Sequence, residues 1–146
     1  MKLQFYILFI LIFISCKPNF EKKLETVPTQ KDISLIDTLQ LKLNHNKKWT
    51  VNPETHQGIR NIDSIIKKFK HNTAYKDLGE KLSQQTNYII TNCTMTGDAH
   101  NQLHVILLPI LDEIDNLKID NNPNKEQAFK RLQNLISKYF SHFELE

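Results

Sequence analysis

This chain is short of glycine, arginine and sulfur, and each shortage removes a class of protein. Three glycines in 146 residues, Gly58, Gly79 and Gly97, are too few for a turn-rich β fold. Two arginines, Arg60 and Arg131, make no basic face, and a formal net charge of +3 is too mild to point to nucleic acid. The lysines are interleaved with acids and read as solvated surface. Catalytic grammar is missing as well: there is no HExxH, no serine or cysteine triad pattern and no glycine-rich phosphate cradle. Cys93 and His100 could be imagined as nucleophile and base, but nothing supplies an oxyanion hole. The sequence reads as a non-enzyme. It has no internal repeat, no βαβ rhythm and no low-complexity tract.

What is present begins at the N-terminus. Lys2 precedes an almost unbroken apolar run from Leu3 to Ile14, too short to span a bilayer comfortably as a mature helix. Phe13-Ile14-Ser15-Cys16 follows, with a small residue directly before the cysteine. This resembles a bacterial lipoprotein signal peptide with a relaxed lipobox. The resemblance implies cleavage before Cys16, diacylglycerol on its thiol and N-acylation, with palmitate as the expected kind of chain. Several acyl chains on one residue make a stable membrane anchor. An uncleaved anchor helix is the alternative. In both cases the rest of the chain leaves the cytoplasm, and the expected location is the cell envelope, periplasm-facing or at the surface. Removing residues 1–15 leaves 131, one domain with enough chain to bury a core. Residues 16–32 are polar and basic, with Pro18 and Pro28, and read as a flexible tether.

The domain is expected over 33–146. Leu39, Leu41 and Leu43 alternate, favouring an extended strap over a helix. Asn44 to Lys48 reads as a turn, and Trp49 is placed to pin the strap to the domain. Asn52-Pro53 is a helix start signal, and Ile59, Ile62, Ile65, Ile66 and Phe69 mark one face of a helix over 53–70. Tyr75, Leu78, Leu82, Gln85 and Ile89 step by three and four along a second, 73–92. A third, 98–117, starts with Asp98 as its cap and has the seam His100, Leu103, Leu107, Ile110, Ile114 and Leu117. Pro109 within it removes one backbone bond and predicts a kink. The fourth, 123–143, repeats the first one's grammar with Asn122 as cap and Pro123 at the first position; its stripe is Ala128, Leu132, Leu135, Tyr139 and Phe143. Four such helices with short links predict an all-α, up-down-up-down four-helix bundle.

One segment carries most of the chemistry: Cys93-Thr94-Met95-Thr96-Gly97-Asp98-Ala99-His100-Asn101-Gln102-Leu103-His104. Cys93 is an odd thiol outside the cytoplasm, either buried, paired between chains or ligating a metal. His100 and His104 are spaced i, i+4 and share a helix face. Thiolate, thioether and imidazole are soft and borderline ligands that select copper or zinc over calcium or magnesium. The candidate metal ligands are therefore Cys93, Met95, His100 and His104. In an antiparallel bundle the same end also receives His56 and His142, which are additional candidates, and His45 from the strap; only His71 falls at the other end. Each residue has a plainer role beside this one. His100 on the seam can be a satisfied core histidine, His104 an exposed one, Met95 a hydrophobic plug, and His56 and His142 surface residues.

The run Lys48-Trp49-Thr50-Val51-Asn52-Pro53-Glu54-Thr55 with Gly58-Ile59, together with residues 93–104, resembles a family of small bacterial exported helical proteins. The resemblance covers roughly residues 39–143. It implies no activity and identifies no ligand. Its members' occurrence near heavy-metal handling systems would suit a metal role. Two main readings follow. One is a lipid-anchored protein that binds copper, or zinc, and buffers, senses or passes it to an envelope efflux system. The other is a cofactor-free helical module for an envelope partner. A haem-binding bundle is a third, made less favourable by the lack of a CxxCH attachment motif.

Overall fold

The computed structural model describes residues 39–70 and 74–146. The segments expected to be signal peptide, Cys16 anchor, tether and the first part of the strap, together with His71, lie outside the described residues. Four helices dominate. The elements run β1 (Trp49–Val51), α1 (Pro53–Lys68), α2 (Tyr75–Asn92), α3 (Gly97–Lys118), α4 (Lys125–His142) and β2 (Phe143–Leu145).

Each helix buries most of the stripe its sequence carries, while Ile65, Tyr75, Gln85 and His100 are half-buried. Ile59, Ile62 and Ile66 of α1 are buried, as are Leu78, Leu82 and Ile89 of α2, Leu103, Leu107, Ile110, Ile114 and Leu117 of α3, and Ala128, Leu132, Leu135 and Tyr139 of α4. Burying such a side chain is worth about 1.5–3 kcal/mol, so the shared core is the main source of stability. Neighbouring helices run antiparallel. Asn61 of α1 meets Gln85 of α2 through an Nδ2 to Oε1 hydrogen bond of 2.9 Å, while Gly58, earlier in α1, faces Ile89, later in α2. Along α1 and α4, His56 lies against Tyr139 and Phe69 against Phe129. Two glycines set the spacing. A Cβ at Gly58 would come within 2.2 Å of Ile89 Cγ1, and one at Gly79 within 2.7 Å of Lys118 Cγ and 3.1 Å of the Ile114 carbonyl oxygen. The 2.2 and 2.7 Å contacts are too short for a real Cβ, so α1 against α2 and α2 against α3 pack closer than alanine would allow without a shift.

The helix ends differ in detail from their signals. Phe69 leaves α1, its N–H bonding the Ile66 carbonyl. Its ring joins Tyr75 and Phe129 at 5.2 Å from each, a gain that outweighs one more helical turn. α4 begins at Lys125 rather than at Pro123. Asn122 caps a turn instead: its Oδ1 accepts the Asn124 N–H at 2.9 Å and its Nδ2 donates to the Asn116 carbonyl at 2.9 Å, the local bonding that draws asparagine out of helices. α3 is continuous through Pro109.

Trp49 does pin the strap, donating from Nε1 to the Lys42 carbonyl at 2.6 Å. Asn44–Lys47 closes a turn with His45 and Asn46 at positive φ. A parallel pair then joins β1 to β2, with Trp49 opposite Phe143, Thr50 opposite Glu144 and Val51 opposite Leu145. Neither three-residue strand is long enough to show a period of two, so this pairing has no clear signature in the sequence.

Candidate metal site

The site region begins where α1 and α2 meet. Asn52 holds the N-cap position of α1 in an extended conformation, but its side chain makes no cap bond. Instead Oδ1 accepts the Thr55 hydroxyl at 2.6 Å, and Nδ2 donates to Glu54 Oε2 at 2.8 Å and to the Asn92 carbonyl at 3.0 Å. Asn52 and Thr55 are both buried. The last carbonyl of α2, which has no helical partner of its own, is thereby taken by α1. Cys93 follows it directly.

Residues Cys93 to Thr96 have no regular structure. Cys93 is a free thiol, half-buried, and both it and Met95 pack against the core. Gly97 opens α3 at φ 68°, the left-handed region that glycine enters without penalty. Thr96 holds the N-cap position and Asp98 lies in the first turn, where a carboxylate favours the helix dipole.

His100 is half-buried and His104 exposed. Their rings sit edge to face with centroids 4.4 Å apart, and the two Nε2 atoms are 2.9 Å from each other. One Nε2–H donates to the other Nε2, so a single proton lies between two imidazole lone pairs. At metal–nitrogen bonds of about 2.0–2.1 Å, two nitrogens on one ion stand about 3.0–3.4 Å apart. An ion could replace that proton with a ring movement of a few tenths of an ångström. Beside this pair, Gln102 Oε1 accepts the Lys42 N–H at 2.7 Å, so the strap is fixed to α3 between the two histidines in sequence.

The other sequence candidates have separate surroundings. His56 Nδ1 is 3.3 Å from the Tyr139 hydroxyl, and its ring meets Phe140 edge-on. Burial first, then the positive charges of Arg60 and Lys48, hold its pKa below the ordinary histidine value. Burial also raises that of Tyr139, which keeps its phenolic proton; the direction of its bond to His56 follows the imidazole tautomer. His142 Nδ1 faces the Lys138 carbonyl at 2.9 Å and Ser141 Oγ at 2.8 Å. His45 Nδ1 faces its neighbour Asn44 Oδ1. Among the described residues, no three His, Cys, Asp or Glu side chains gather in an arrangement able to hold a metal ion. The structure thus brings His100 and His104 together, but not Cys93, His56 or His142 with them. The Asn52–Thr55 network escaped sequence reasoning because Asn-Pro is explained fully by a helix start. Comparison with protein-family models, curated proteins and solved structures finds no match to the chain.

Proposed function

We propose that this chain is a lipid-anchored envelope protein, an up-down-up-down four-helix bundle, that binds a soft or borderline transition metal at the start of α3. Copper is the favoured ion and zinc the next, with buffering, sensing or transfer to an envelope efflux partner as the role. One observation carries the reading: the 2.9 Å approach of the His100 and His104 Nε2 atoms. Two convergent imidazoles bonded only to each other among the described residues are a chelating half-site. In this reading Cys93 and Met95 complete the shell by movement of the irregular link that carries them, since soft sulfur donors favour Cu(I). The anchor is Cys16, proposed from the apolar run and small residue before it. Kinship with exported helical proteins rests on the residue pattern at 48–59 and 93–104.

Competition titration of the purified chain is expected to give about one Cu(I) or Zn(II) per molecule. His100→Ala and His104→Ala should each weaken binding at least about tenfold. Cys93→Ser and Met95→Leu reveal whether sulfur joins. If the double histidine variant binds as tightly as wild type, the metal reading is abandoned.

A cofactor-free interaction module is the second reading. It is favoured by the lack of a three-donor group among the described residues and by the exposure of Ile90 and Leu108. Capture of an envelope partner by metal-free chain, unchanged by the His100 and His104 substitutions, would select it. A visible absorbance spectrum of freshly purified protein separates either reading from haem.

A further inference from the structure

α1 carries a second set of polar residues, unrelated to the histidine pair of α3. His56, Arg60, Ser64 and Lys68 recur at every fourth position and so form one line along the helix. At 1.5 Å per residue the line is about 18 Å long. All four line an open groove of about 640 Å³, together with Asp63, Lys67 and Phe140 of α4.

The line consists of groups able to donate. His56 Nδ1 is tied to the Tyr139 hydroxyl, and in the tautomer whose Nδ1 accepts the phenolic proton its Nε2–H is a donor. Ser64 adds a hydroxyl, and Arg60 and Lys68 add cations. The one carboxylate in the groove, Asp63, is engaged by Lys67 at 2.7 Å. Arg60 and Lys68 have no ion-pair partner among the described residues. Lys48 stands at the edge, bonded to the Phe140 carbonyl at 2.7 Å, and adds positive potential at His56. Unbalanced cations in a groove, here beside the Phe140 ring, attract anions more strongly than the same charges spread over open surface. Arginine's planar fork matches phosphoryl oxygens two at a time.

We propose that this groove is a binding site for a phosphate-bearing anion with several charged groups in a row, held by Arg60 and Lys68 with Ser64 and His56 Nε2–H as neutral donors. Arg60 and Lys68 are about 12 Å apart along the axis. Two long side chains can close that gap onto an extended polyphosphate, whereas a single phosphate reaches only one of them. The phosphoryl oxygens can belong to a free polyphosphate or to the headgroups of an anionic membrane.

The test uses the full chain. By calorimetry in non-ionic detergent at low salt, tripolyphosphate should bind at least tenfold tighter than orthophosphate. Arg60→Gln and Lys68→Gln should each weaken tripolyphosphate at least fivefold, Arg60→Lys less than Arg60→Gln, and the control pair Lys76→Gln with Lys125→Gln not at all. With the chain in lipid nanodiscs, the Arg60 Nε–H resonance distinguishes the sources. A shift on replacing phosphatidylcholine by phosphatidylglycerol assigns the site to headgroups; a shift only on adding tripolyphosphate assigns it to a free anion. The proposal falls if that resonance moves in neither case, or if the control pair weakens binding as much as the groove variants do.

Discussion

Two of the polar pairs that involve α3 have opposite surroundings. Near its end, Glu113 is buried and receives Arg131 of α4 in a two-point bridge, Nε to Oε1 at 2.6 Å and Nη2 to Oε2 at 2.9 Å, with Asn116 Nδ2 on Oε2 as well. Near its start, half-buried His100 and exposed His104 turn to each other, with no other side-chain hydrogen bond among the described residues. The first pair has spent its bonding capacity inside the fold and ties two helices together. The second keeps lone-pair and donor capacity that the fold does not use. A buried, saturated polar group serves structure; an accessible, half-satisfied one is available to a ligand.

That contrast can be broken most forcefully at Arg131. Arg131→Ala leaves the Glu113 carboxylate buried and unpaired, and should cost about 3–5 kcal/mol in urea unfolding while leaving metal affinity unchanged. Replacing both partners, Glu113→Leu with Arg131→Met, should restore most of the loss, because apolar groups of similar volume need no partner. Asn52→Ala comes next. It orphans the Thr55 hydroxyl and the Asn92 carbonyl, and should destabilise by about 1–3 kcal/mol. At the histidine pair the signs reverse: His104→Ala should barely move the melting temperature, yet weaken Cu(I) or Zn(II) at least about tenfold, about 1.4 kcal/mol.

The smallest effect belongs to His56. Its folded pKa lies below its unfolded value of 6.5 for reasons of burial, then Arg60 and Lys48. The unfolded chain therefore takes up the proton first as pH falls. Stability should be full above the unfolded value, decline as pH drops through it, and level off below the folded value. His56→Gln should flatten that decline, seen by chemical denaturation across pH 7.5 to pH 5 (roughly the histidine range). Equal slopes for the two proteins would place the proton uptake elsewhere.

The sequence made the helices legible because each buries a stripe at steps of three and four, and a stripe such as Leu103 to Leu117 leaves little choice of period. Its ends were less so. Asn122-Pro123 and Asn52-Pro53 are the same signal, but one begins a helix and the other shapes a turn. Both asparagines bond a carbonyl of a neighbouring helix, Asn52 that of Asn92 and Asn122 that of Asn116; they differ in that Asn122 Oδ1 also accepts the Asn124 N–H two residues on, which closes a turn, whereas Asn52 Oδ1 accepts the Thr55 hydroxyl. The histidine pair could be read from spacing alone, since i, i+4 on any helix brings two rings face to edge. Cys93 could not be placed that way. Its position depends on the link to Gly97 and on Asn52 reaching across from α1, and neither has a periodicity. The grouping of His56 and His142 with the pair rested on which end of the bundle they occupy. An end is wide enough for several histidines to share it while each bonds to its own neighbours.

The parallel pairing of β1 with β2 has a kinetic consequence. Every helix hairpin is built from contacts close along the chain, and those can form early and in any order. Trp49 pairs with Phe143 across all four helices, so this pairing closes the longest loops among the described residues and bears the largest closure entropy there. It should be the final event of folding and the first to reopen. A chain cut back before Phe143 would keep its helices but free β1, leaving the strap held by the Lys42–Gln102 and Lys48–Phe140 bonds.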